Sequence, residues 1–102
     1  MYLVQLLLPA EDHEGRTYPR AYYEALATRL TDEFGGVTAY TRTPATGLWE
    51  AASGERVRDE VVVIEVMVEE IDPDWWAQLR AELEAKFAQR ELLVRALEIR
   101  KL

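Results

Sequence analysis

A single carboxylate, Glu65, stands inside the most apolar stretch of the chain, Glu60 to Glu70. As a strand, this stretch puts Val62, Ile64, Val66 and Val68 on one face and Val61, Val63, Glu65 and Met67 on the other. Gln5 interrupts the opening run in the same way, with Tyr2/Val4/Leu6/Leu8 set against Leu3/Gln5/Leu7. With helices over the Val62 face, Gln5 and Glu65 share the opposite one. The segment Val37 to Thr43 adds either Thr38/Tyr40/Arg42 or Val37/Ala39/Thr41/Thr43 to that face. Helix packing favours Val37 and Ala39, which places Tyr40 and Arg42 beside Glu65, and Arg95 joins by the same logic from the last strand. A carboxylate, a guanidinium, a phenol and an amide in an apolar enclosure suit a small polar ligand. Glu65 would then move a proton, Arg42 orient an anionic or carbonyl oxygen, and Tyr40 and Gln5 position the substrate. The same residues have a plainer use, in which Glu65 pairs with Arg42 or Arg95 to neutralise enclosed charge and fix a dimer's register.

His13, in Glu11-Asp12-His13-Glu14, is the second candidate for acid–base work, because the loop after the first strand borders the mouth of such a pocket. As a metal site the tetrapeptide is poor. Adjacent residues converge on one ion only in a shaped loop, and the chain has no second His. A solvated acidic turn is the better reading, and no metal is expected. Trp49, just past Gly47, would cap a pocket or pack at an interface, where Trp is enriched. Of Trp75 and Trp76, at least one is simply core. The sequence has no Gly-rich phosphate loop, nucleophile elbow or Ser/His/Asp pattern, and no cofactor is expected. The lack of cysteine removes thiol nucleophiles, disulfides and Cys-based metal sites together.

The elements that must position these groups are legible from patterning. Tyr2 to Leu8 reads as a central strand stopped by Pro9, and residues 9–18 as a loop turning at Gly15. Thr17 or Tyr18 is expected to cap a helix with Pro19 in its first turn. Tyr22, Leu26 and Leu30 then recur at helical spacing until Gly35-Gly36 ends the helix. Val37 to Thr43 is β-prone, and Gly47 to Glu50 continues it past a bulge or along an edge, after the break at Pro44. Residues 52–58 form a turn before the strand at 60–70. Asp72-Pro73-Asp74 starts a second helix, with a capping carboxylate, a proline in the first turn and an acid at the positive end. Trp76, Leu79, Leu83 and Phe87 form its buried stripe. Residues 91–100 fit a strand better than a continued helix, although both periodicities are present.

This order is strand-helix-strand twice over, a single α+β domain across residues 1–102 with the ferredoxin-like βαββαβ plan: a four-stranded antiparallel sheet with both helices on one face. The length of 102 residues suits one core. With 19 acids against 12 bases, the net charge of −7 argues against nucleic acid or an anionic membrane surface as a partner. No run approaches the roughly 20 apolar residues of a bilayer span, and the opening is too short for a signal-peptide core, so a cytoplasmic location is expected. A sheet apolar on both faces needs a cover on each, and in a chain this short a second copy is the expected cover.

The LVQLLLP opening, the FGG helix end, the following VTAYTR, the GLW segment and the DEVVVIEV strand resemble a family of short bacterial proteins within the dimeric α+β barrel superfamily. The resemblance covers nearly the whole chain. It implies a homodimer in which two sheets close face to face. The superfamily includes cofactor-poor monooxygenases, lactone isomerases, haem-handling enzymes and proteins without activity, so the fold alone selects no reaction. Two functions are therefore expected to compete: a small-molecule binder or cofactor-poor enzyme using Gln5, Tyr40, Arg42, Trp49, Glu65 and His13, and a non-catalytic structural or interaction module whose barrel interior is dimer core.

Overall fold

The computed structural model describes residues 1–36, 38–40, 46–50 and 56–102, with side chains described for residues 1–36 and 61–102. The order is β1 (Tyr2–Pro9), α1 (Arg20–Phe34), β2 (Thr38–Tyr40), β3 (Thr46–Glu50), β4 (Arg56–Val68), α2 (Pro73–Lys86) and β5 (Leu93–Glu98). The fold is α+β, with two helices and an antiparallel sheet.

The sheet runs β2-β4-β1-β5, and β3 pairs with β4 outside that path. Among the described residues it therefore has five strands rather than the four expected. The extra strand arises because β4 is 13 residues long: its second half pairs with β1 and β2, and its first half is left to pair with Thr46–Glu50. Gly47 to Glu50 thus forms a strand of its own. The expected break at Pro44 lies outside the described residues, as do positions 52–55 of the turn expected over residues 52–58; Arg56 to Arg58 of that stretch are strand instead, because they pair with Leu48 to Glu50. Within residues 91–100, Leu93–Glu98 are strand rather than helix: β5 pairs with β1 over six positions, supplying hydrogen bonds that an extension of α2 would have had to find within itself.

Alternation along β1 and β4 sorts the core. Val4, Leu6 and Leu8 stand opposite Val66, Ile64 and Val62, and all six are buried. Leu26 and Leu30 of α1 and Trp76, Leu79 and Leu83 of α2 join them in one cluster with Phe87 and Leu92. Both helices therefore cover the same sheet face. An Arg29–Glu82 ion pair ties α1 to α2, and Phe34 stacks on Trp76 with ring centroids 5.4 Å apart. Phe87, fully buried, is the hub of a second aromatic group, with Tyr18, Tyr22 and Tyr23 at 4.9, 5.6 and 5.5 Å.

The helix ends show local chemistry. Asp72 caps α2 as expected, its side chain accepting from the backbone N–H of Asp74 and Trp75 at 3.1 and 3.2 Å. Gly35 closes α1 in the left-handed conformation at φ 83°, its N–H reaching the Thr31 carbonyl. The start of α1 departs from expectation. Pro19 is the N-cap, with no side-chain capping bond, and the helix begins at Arg20. Thr17 and Tyr18 are engaged elsewhere: Thr17 bridges to Glu11, while Tyr18 donates its N–H to the Ala10 carbonyl and its hydroxyl to the Phe87 carbonyl. Inside that loop the Asp12 carboxylate accepts from the Glu14 and Arg16 amides, and Gly15 turns at φ 81°. The Arg16 amide bond, with smaller help from Glu14 and nearby positive charge, holds the Asp12 carboxyl below the usual carboxylate range against a partial desolvation. Among the described residues no helix is long and apolar enough to cross a membrane.

Candidate functional site

The face of the sheet turned away from the helices carries the polar candidates Gln5 and Glu65. Residues directly opposite one another on neighbouring strands share a face, so the registers of β5, β1 and β4 arrange this surface in rows. Leu97, Leu3 and Met67 form one row; Leu93, Leu7 and Val63 form another. Between them lies a row of polar residues, Arg95, Gln5 and Glu65. Met67, Leu93 and Leu97 are 51, 50 and 46% exposed, high values for side chains of this kind when 14 hydrophobic residues among those described are buried.

The polar row is a hydrogen-bonded relay. Arg95 donates its Nε–H to Gln5 Oε1 at 2.7 Å, and Gln5 donates from Nε2 to Glu65 Oε2 at 2.7 Å. Both bonds have one charged partner, which makes them the stronger kind. Gln5 can join a cation to an anion because its amide presents an acceptor at one side and donors at the other. The row is thus electrically polarised, positive at the β5 end and negative at the β4 end, with no net charge.

Glu65 also lines a groove of about 590 Å³ bounded by Leu3, Val66 and Met67 of the sheet and by Phe34, Gly35 and Gly36 at the end of α1. A side chain at Gly35 or Gly36 would meet nothing within 4 Å, so the glycines leave this wall low, and Gly35 additionally needs its positive φ. The groove has an apolar floor with a carboxylate at its edge, suited to a small molecule with an apolar body and a donor or cationic group.

The expected site residues separate into groups. The structure brings Gln5 and Glu65 together and adds Arg95, the alternative partner weighed for Glu65. The backbone of β2 puts Thr38 at the register position opposite Glu65 and Tyr40 at that opposite Val63. Arg42 lies outside the described residues. Trp49 occupies β3, opposite Val57, as a backbone position. His13 is not brought to the row. Its Nε2 lies 3.0 Å from the Ala88 carbonyl, in the turn after α2, an element packed on the other sheet face. Trp75 turns toward Phe34 and Trp76, with the Arg29 guanidinium 5.9 Å from its ring, and belongs to the helix layer. Among the described residues no cluster of His, Asp and Glu could hold a metal ion. The groove wall at Phe34–Gly36 escaped sequence reasoning, which took Gly35-Gly36 as a helix stop; the second glycine, beyond what a cap requires, was the available signal.

No protein family and no curated relative matches the sequence. Among solved structures, a phage SAM lyase in complex with S-methyl-5'-thioadenosine is similar at 18% sequence identity, covering 95% of this chain and 80% of that one, with a TM-score of 0.57. At that identity the likeness supports the α+β fold and nothing about the residues of the site.

Proposed function

We propose that this protein is a small-molecule binder or cofactor-poor enzyme of the ferredoxin-like, dimeric α+β barrel type, holding its ligand between the open sheet face and the second copy that covers it. The observation that carries this reading is the Arg95–Gln5–Glu65 relay set between two apolar rows, with Glu65 at the edge of the groove. Glu65 accepts a hydrogen bond or a proton from the ligand. Gln5 holds the carboxylate in place, and Arg95, acting through Gln5, positions it. Tyr40, whose backbone stands at the register position opposite Val63, is assigned with Gln5 to positioning the ligand. That a protein of similar fold is named as a lyase and holds a thioether nucleoside supports small-molecule chemistry on this scaffold.

The test is a calorimetric titration of S-methyl-5'-thioadenosine into wild type and Glu65→Gln, alongside native mass spectrometry of gently purified protein. The expected result is a bound ligand, added or co-purified, whose affinity falls at least tenfold in Glu65→Gln while circular dichroism is unchanged. Absence of any bound mass or heat, or equal affinity in the variant, overturns the reading.

A second reading draws on the same relay. Arg95 and Glu65 both have a bond inside the row, so an apolar partner surface could cover them without stranding either charge. The protein would then be a non-catalytic interaction module, and Glu65→Gln would weaken assembly with no ligand to lose.

A further inference from the structure

We propose that two copies of this chain pack their open sheet faces together about a two-fold axis that runs along β1 above Gln5, so that Arg95 of each copy lies opposite Glu65 of the partner subunit. This rests on the reading that a second copy covers the face, and adds the orientation in which it does so.

The argument comes from the polarity of the row. Where two sheets meet face to face with their strands nearly aligned, a two-fold axis lying between them runs either along the strands or along the row. An axis along the row keeps the row's direction, setting Arg95 over the partner's Arg95 and Glu65 over the partner's Glu65. An axis along β1 reverses the row, setting each cation over an anion. Both choices let apolar rows meet apolar rows, so the charges alone discriminate between them, and like charges facing each other in an interface are strongly unfavourable.

Geometry permits the cross-pairing. Arg95 and Glu65 sit one strand either side of Gln5, each displaced by about 4.8 Å, and packed sheets stand about 10 Å apart, a gap that extended Arg and Glu side chains can bridge together. With the axis along β1, Leu3 meets the partner's Leu3, and Met67 meets the partner's Leu97; Met67 and Leu97 are half-exposed side chains that a cover must bury. Net charge on the three strands of this face does not oppose association. The chain as a whole carries −7, yet the three-strand face carries one positive and one negative residue.

The experiment is sedimentation velocity on wild type, E65R, R95E, an equimolar mixture of the two single variants, and the E65R/R95E double variant, each checked for folding by circular dichroism. The expected pattern is a wild-type dimer and single variants whose dimer dissociation constants rise by roughly 100-fold or more. Their mixture forms heterodimers, because one row is positive at both ends and the other negative, and the double variant regains the dimer. Because the chain has no cysteine, L3C provides an independent reading in an otherwise native row: a short bis-maleimide should link it to its own copy with the axis along β1. An axis along the row would set it over the partner's Leu7 instead, about 13 Å away along the strand. Dimeric single variants, a monomeric double variant or an unlinked L3C would overturn the axis while leaving the dimer standing. A wild type that stays monomeric at every concentration would overturn the second-copy cover and the axis with it.

Discussion

Replacing Leu6 by Ala and, separately, Leu97 by Ala tests whether the two sheet faces differ as the structure requires. Leu6 is fully buried, between Ile64 and Val94 in register. Truncation removes three carbons, worth about 2.4 kcal/mol of transfer at roughly 0.8 per methylene. The space they leave, about 75 Å³ if the neighbours hold still, adds about 1.8 kcal/mol at roughly 24 cal/mol per Å³. The expected loss is therefore about 4 kcal/mol, inside the usual 2–5 range for such a site. At roughly 4–8 °C per kcal/mol for a domain near this size, the Tm should fall by about 15–30 °C. Leu97 is 46% exposed, so about half the transfer energy is at stake and no closed cavity forms; about 1 kcal/mol is expected for the isolated chain. Urea unfolding followed by circular dichroism measures both. If a second copy covers Leu97, its variant should lose more at high protein concentration than at low, while the Leu6→Ala loss stays constant. Equal losses at the two positions would refute the assignment of one face to the core and the other to an interface. A Leu6→Ala loss below about 1.5 kcal/mol would refute the packing itself.

Two further outcomes follow from local chemistry. Asp72→Ala removes the acceptor of two α2 amides and should cost about 1 kcal/mol, read as a lower urea midpoint with unchanged m; no shift would show that water replaces the cap without loss. Burial, with a smaller contribution from Tyr18, pushes the Tyr23 phenol up to about 12 from its ordinary value of 10. Below pH 10 the folded and unfolded chains both keep that proton. Between 10 and about 12 the unfolded chain releases it first, so stability should fall as pH rises across this window and level off above it. Thermal unfolding across that range, compared with Tyr23→Phe, checks the sign: the variant should lose the Tyr23 share of the slope, and an identical slope would rule the phenol out.

Much of the fold is legible in particular residues. The period-two pattern in β1 and β4 identifies the core face, since a strand offers no other way to bury Val4, Leu6, Val62 and Ile64 together. Asp72-Pro73 and Gly35 mark helix ends because capping depends only on residues a few positions away. Where competition is non-local, sequence reading fails. Thr17 looks like a cap until Glu11 claims it, and Tyr18 until the Ala10 and Phe87 carbonyls do. The strand character of residues 93–98 depends on β1 being available beside them, which no window of the sequence contains.

The candidate site divides along the same line. By itself the sequence determined that Gln5 and Glu65 are polar intruders on apolar strand faces, because alternation is a property of one strand. It put Arg42 in the site and offered Arg95 only as an alternative partner for Glu65. Only the tertiary structure set Arg95, Gln5 and Glu65 in one row, because register is decided by which strands pair and how they align, and a slip of one residue would have sent the same side chains to opposite faces.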